Sequence, residues 1–162
     1  MKKISSLIIL SILLTYINAC AGYKPIFSSS NLQFEIADYS IKGNKVLGNK
    51  IYSKLQKISQ SKKSNQNVRS INLLIKSSTS KNATIKDSAG NILAYKITLM
   101  TEVKVTDYLD GDKILNQTFI HSVTYKVQDQ YSDTIKLENR SINNLIDRTH
   151  GELLLSLSKN II

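Results

Sequence analysis

Two long alternating runs joined by an Asp-Gly turn constrain this chain more than any other feature. ILAYKITLMTEVKVTD sets Tyr95, Ile97, Leu99, Val103 and Val105 on one face and Lys96, Thr98, Glu102, Lys104 and Thr106 on the other. A period of two is that of a half-buried strand. LDGD follows, and an Asp-Gly pair between alternating runs is hairpin chemistry. KILNQTFIHSVTYKV then returns with Leu115, Phe119, Val123, Tyr125 and Val127 in phase. A hairpin this long, apolar on one face only, needs another layer to cover that face.

The flanking segments supply the layer. NLQFEIADYS alternates Leu32, Phe34 and Ile36 against Gln33 and Glu35, which predicts a strand broken at Gly43 and Asn44. Asn44 has the chemistry of a helix N-cap. VLGNKIYSKLQKIS places Leu47, Ile51, Leu55 and Ile58 at helical spacing on one face. SQSKKSNQN reads as a polar loop. VRSINLLIKSS puts Ile71, Leu73 and Ile75 on one side of another strand, continued irregularly by TSKNATIKD up to the turn residues SAGN. After the loop QDQYSD, Ser132 is the expected N-cap and Asp133 lies in the first turn, where the helix dipole favours an anion. Ile142, Leu145, Ile146, Thr149, Leu153 and Leu157 mark a long amphipathic helix. Gly151 is expected to bend or fray it.

The order β-α-β-β-β-α predicts an α+β two-layer sandwich. Two helices pack on one face of a four-stranded, mostly antiparallel sheet and leave the other face polar. No internal repeat is present. Residues 32–162 form the folded domain in this reading.

The N-terminus reads differently. MKKISSLIILSILLTYINAC has Lys2 and Lys3, an uncharged stretch from Ile4 to Tyr16, and small Ala19 before the single cysteine, Cys20. That is the layout of a secretory signal, residues 1–19, with cleavage before Cys20. The apolar core falls short of the roughly 20 residues that a membrane-spanning helix needs; a retained signal anchor is the competing reading. Ile17–Cys20 resembles the bacterial lipobox, which makes Cys20 the lipidation site, and an incidental thiol is the alternative. One cysteine allows no intramolecular disulfide. The following GYKPIFSSS carries the chain's only proline, Pro25, and reads as a tether, residues 20–31.

Removing residues 1–19 from the 162-residue chain leaves 143, enough for one domain, and lowers the formal charge from +10 to +8 through loss of Lys2 and Lys3. A basic exported domain suits anionic headgroups or an acidic glycolipid, and export argues against nucleic acid. The near-exclusive use of Lys over Arg, with abundant Ile, Asn and Ser, is also what an AT-rich coding sequence produces.

Catalytic chemistry finds no foothold. His121 falls in phase with a strand's core face and His150 lies in the last helix, so both read as structural. HExxH, GxSxG and a glycine-rich phosphate loop are all missing. DYLDGD gathers Asp107, Asp110 and Asp112 without EF-hand spacing, so a solvated turn is expected and no metal. The triplets at Asn82, Asn116 and Asn139 match a glycosylation pattern that a bacterial lipoprotein does not use. The expectation is a protein that is not an enzyme and has no cofactor.

The Cys20 lipobox, the Gly-aromatic-x-Pro tether and the strand–helix–three strands–helix body resemble the LptE family of lipopolysaccharide-assembly lipoproteins. YKITLMTEVKVTD, SVTYKVQDQYSD and SINNLIDRTHGELLLSL are similar to that family's most recognisable stretch. Ala21 departs from it, since a glycine usually follows the cysteine directly. The resemblance implies a lipid-anchored outer-membrane protein that plugs the LptD β-barrel and helps pass lipopolysaccharide to the outer leaflet. Lys76, Lys96 and Lys104 on the polar side, and Lys81 and Lys86 read as loop residues, are the groups that would meet phosphates. None is assigned as a lipopolysaccharide-binding residue. A stand-alone periplasmic lipoprotein that binds a small ligand or peptidoglycan, and a hydrolase with an unrecognised site, are the competing classes.

Overall fold

A computed structural model describes residues 32–60 and 68–161. The signal segment 1–19, Cys20 and the tether 20–31, and most of the expected polar loop, lie outside the described residues. The elements are β1 (Phe34–Gly43), α1 (Lys45–Gln60), β2 (Arg69–Lys86), β3 (Ile92–Asp107), β4 (Lys113–Lys126) and α2 (Tyr131–Ile161). The sheet order is β1-β2-β3-β4, with β1 parallel to β2 and the other neighbours antiparallel. The expected α+β architecture and element order are observed.

Alternation in β1 stops at Ile36 because the register with β2 shifts between Ile36 and Asp38. The bulge changes the phase, so Tyr39 and Ile41 join the helix side, and Tyr39 stacks on Tyr52 of α1 with ring centroids 3.9 Å apart. At the β1–α1 junction Gly43 has φ +74, and a Cβ there would collide with the Ser77 carbonyl. That carbonyl also accepts from the Asn44 N–H at 2.8 Å. Asn44 Oδ1 accepts from the N–H groups of Val46 and Leu47 at 3.1 and 3.2 Å, the expected N-cap.

The core lies between the sheet and the helices. Leu47, Ile51 and Leu55 of α1 and Leu145, Ile146, Leu153 and Leu157 of α2 are buried against Ile71, Leu73, Ile75, Ile97, Leu99, Val103, Val105, Leu115 and Phe119. At about 1.5–3 kcal/mol for each large side chain removed from water, this face drives folding. Among these residues Ser77 and Thr101 pair across the strands, both fully buried, and neither hydroxyl has a hydrogen-bond partner. Ser77 is small where α1 comes close. A Cβ on Gly48 would meet its Oγ at 3.4 Å and collide with Ile41.

Three local expectations are corrected. Val127 lies past the end of β4 and is exposed, on the rim of an open cavity that it shares with Tyr131, Thr134 and Ile135 of α2. Ser132 is not an N-cap: α2 begins at Tyr131, and the Gln130 carbonyl accepts from the N–H groups of Asp133 and Thr134. Thr134 Oγ1 accepts from the Gln128 N–H at 2.9 Å and holds the entering loop down. Gly151 lies inside α2, which runs on to Ile161, so the helix neither ends nor frays there.

The strand register also fixes the two ends of the sandwich. Phe34 pairs with Arg69 and Ile71 with Asp107. The chain therefore enters β1 at the end where the β3–β4 hairpin turns. The opposite end holds the β2–β3 turn and the start of α2.

Candidate binding face

Strand alternation delivers the side chains opposite the helices to one open surface. Lys42 lies level with Lys76, Leu74 with Lys104, and Lys76 with Glu102. Lys76 Nζ is 3.8 Å from Glu102 Oε2, both largely in water, so the pair is screened and weak. Around these residues are two adjoining concavities. One of about 330 Å³ is bounded by Asp38, Ser40, Lys42, Asn72, Leu74 and Lys104. The other, of about 220 Å³, is bounded by Lys42, Leu74, Lys76, Glu102 and Lys104. Three ammonium groups against one or two carboxylates favour an anion, and depressions this shallow suit a surface-bound phosphate or carboxylate more than an enclosed small molecule. Lys96 lies further along the same face. So do Met100 and Ile120, cross-strand neighbours that are 45% and 63% exposed and give the polar surface an apolar centre.

Lys42 was not among the lysines singled out from the sequence. The bulge after Ile36 hides its phase, and only continuation of β1 to Gly43 brings it beside Lys76. The strand continues through TSKNATIKD as expected, so Lys81 and Lys86 lie in β2, and their description as loop lysines is corrected. Lys86 ends that strand, exposed. Lys81 points to the helix side. Its Nζ donates to Glu138 Oε2 of α2 at 2.5 Å and lies 4.4 Å from the centre of the Tyr95 ring. The Tyr125 hydroxyl donates to the same carboxylate oxygen at 2.8 Å. The hydrogen bond to Glu138 raises the Lys81 pKa well above the ordinary lysine value against the opposing effect of burial. Burial acts to raise the Glu138 carboxyl, but Lys81 and Tyr125 outweigh it and leave its pKa below the usual range. Lys81 is therefore a structural cation engaged within the fold. A cavity of about 540 Å³ opens beside it, bounded by Asn91, Tyr95, Gln128, Asp129 and Tyr131 among others.

The histidines lie apart. His121 Nε2 is 3.4 Å from Glu152 Oε2 at the sheet–α2 boundary. His150 is half-buried, and burial, then the nearby Lys54 charge, lowers its pKa while Asp147 pulls the other way. The Asp107–Asp112 turn is only partly solvated. Asp110 and Asp112 are exposed, but Asp107 is buried and accepts from Arg69 Nε at 2.6 Å. That hydrogen bond, together with the Leu109 N–H, holds the Asp107 carboxyl below the usual carboxylate range. Among the described residues no group of three or more His, Cys, Asp or Glu side chains is placed to hold a metal. No helix among them is long and apolar enough to cross a membrane.

No protein-family model matches this chain, and no curated protein sequence matches it. Solved structures do. A presumed lipoprotein from Caulobacter crescentus CB15 superposes with a TM-score of 0.54 at 13% identity, over 75% of this chain and 86% of that one. An uncharacterized lipoprotein B from Nitrosomonas europaea gives 0.53 at 11% identity, over 82% and 88%. A minor lipoprotein from Acinetobacter baumannii gives 0.52 at 15% identity, over 78% and 94%. At these identities the likeness is one of fold: this chain shares its fold with these solved structures over three quarters or more of its length.

Proposed function

We propose that this chain is an outer-membrane lipoprotein of the LptE type. It is anchored through acylated Cys20, fills the lumen of an LptD β-barrel, and takes part in moving lipopolysaccharide to the outer leaflet. It works by binding and shape, without catalysis or a cofactor. The observation that carries this reading is a fold shared along most of the chain with solved structures described as lipoproteins, in a sequence whose only cysteine sits in a lipobox-like context. Two further features support it. One face of the sheet carries neither of the two described helices and is mostly polar, as suits a polar barrel lumen. That face also presents Lys42, Lys76 and Lys104 together, where glycolipid phosphates would find paired positive charge.

The direct test is a detergent pull-down of tagged protein from outer membranes. Co-purification of one large heat-modifiable β-barrel is the expected result. Recovery of the lipoprotein without a barrel would instead favour a stand-alone periplasmic lipoprotein that binds a small ligand or peptidoglycan.

A further inference from the structure

We propose that the tip of the β3–β4 hairpin, Tyr108 and Leu109, inserts into the bilayer that holds the Cys20 anchor and gives the free lipoprotein a second membrane contact at its chain-entry end. The inference rests on the lipoprotein reading above. Leu109 is 88% exposed and Tyr108 53% exposed. A scattered exposed leucine is ordinary. This pair is set apart by how it is held and where.

The tip is built, not loose. The Tyr108 N–H donates to the Ser70 carbonyl at 3.0 Å, and the Leu109 N–H to Asp107 Oδ1 at 2.9 Å. Asp107 is itself clamped by Arg69 at 2.6 Å, and its N–H donates to the Asp112 carbonyl at 2.8 Å. Gly111, at φ +76, closes the turn. Two apolar side chains are thus projected from a preorganised support.

Position selects the occupant. Ser70 follows Arg69, which pairs with Phe34 at the start of β1, so the tip stands beside the point where the chain enters the domain. Residues 21–33 separate Phe34 from Cys20. Even fully extended they span at most ~50 Å, at about 3.3–3.6 Å per residue. An acyl anchor at Cys20 keeps this end of the domain, more than the far end, within reach of the bilayer. Tyrosine favours the headgroup level, and leucine the acyl boundary just beneath it. Asp110 and Asp112 flank the tip, and Asp110 Oδ1 accepts from the Asp112 N–H at 2.9 Å. These carboxylates exclude attraction to anionic headgroups as the driving force. The contact is apolar and insensitive to salt.

The test uses the mature acylated protein in vesicles of phosphatidylethanolamine and phosphatidylglycerol, without a barrel. Leu109→Cys and Tyr131→Cys are each labelled with an environment-sensitive thiol dye, and nitroxide-bearing lipids serve as quenchers. Tyr131 is 79% exposed at the opposite end and is the control. Acylated Cys20 has no free thiol, so intact mass should show one dye per chain. Two dyes would overturn the anchor reading itself. With one dye, a blue shift and lipid quenching at position 109 only, unchanged in high salt, is the expected result. Aqueous emission at both positions, or equal shifts at both, would overturn the proposal.

Discussion

Lys81 and Glu138 are joined across the two layers, Nζ to Oε2 at 2.5 Å, with the Tyr125 hydroxyl on the same oxygen. The contact links the irregular half of β2 to α2, far along the sheet from the apolar core of α1. The carboxylate side chain is 21% exposed and the ammonium side chain 38%, so solvent screens the pair in part.

Glu138→Gln is therefore expected to cost only about 1 kcal/mol near neutral pH. The folded-state pKa of Glu138 lies below its unfolded value. Its contribution is present above the ordinary carboxylate range and is lost as pH falls through the depressed folded value. Urea titrations of the wild type and Glu138→Gln should converge as pH drops from 7 into the acid range. A gap that stays constant with pH would show that the carboxylate charge is not what Lys81 engages. Lys81 is shifted upward, so its share is complete below the ordinary lysine range and disappears only at strongly alkaline pH.

Leu145 packs at 1% exposure between α2 and the sheet. Leu145→Ala should cost about 2–5 kcal/mol by loss of transfer energy plus a residual cavity. A loss below roughly 0.5 kcal/mol, the range of surface substitutions, would mean that this face of α2 is not the packed one.

The two helical glycines should respond in opposite directions to the same substitution. An added Cβ at Gly48 would collide with Ile41, whereas at Gly151 it meets nothing within 4 Å. Gly151→Ala should stabilise by up to about 1 kcal/mol through helix propensity. Gly48→Ala gains the same propensity but forces α1 off β1, a cost of about 1–3 kcal/mol, and is expected to lower stability on balance. Melting temperatures of the two variants decide this. Stabilisation at both positions would show that α1 does not need its close approach.

Features that repeat along the chain are legible in the sequence alone. Ile71, Leu73 and Ile75, the long alternation of β3, and the helical spacing of Leu145, Ile146, Leu153 and Leu157 each declare a buried face by period alone. The Asn44 cap was legible because its chemistry is local. What escaped depends on partners distant in sequence. TSKNATIKD has no apolar alternation, so the strand was legible there only as an irregular continuation and the face that Lys81 takes was not legible at all. Lys81 turns inward to Glu138, 57 positions later. Lys42 was hidden by the bulge after Ile36. Asp107 looked solvated because Arg69, 38 positions earlier, is adjacent only through the β2–β3 pairing. Ser132 was a reasonable cap by type, but the Gln130 carbonyl and the Thr134 hydroxyl satisfy that turn one step earlier.

The anchor is tested by mass. Protein extracted from membranes should begin at Cys20 and carry acyl chains, and Cys20→Ala should lose both the added mass and detergent partitioning. Each acyl chain adds about 0.8 kcal/mol of membrane affinity per buried CH₂, and several chains together hold the protein stably where one would not. Unchanged mass and partitioning in Cys20→Ala would remove the lipoprotein assignment.

The central claim is that the domain seats in a barrel by shape and meets lipopolysaccharide by charge, and the two contacts should separate with salt. Exposed lysine–phosphate attractions act over a Debye length of about 8 Å at physiological ionic strength and about 3 Å at 1 M. A packed plug depends on buried area and fit, which that salt leaves intact. The decisive measurement is a paired titration from low to high salt. It follows lipopolysaccharide binding by the domain and retention of the barrel on tagged, membrane-extracted protein. The account predicts that lipopolysaccharide affinity falls steeply while the barrel stays bound. A barrel that washes off with salt, or never co-purifies, would contradict it.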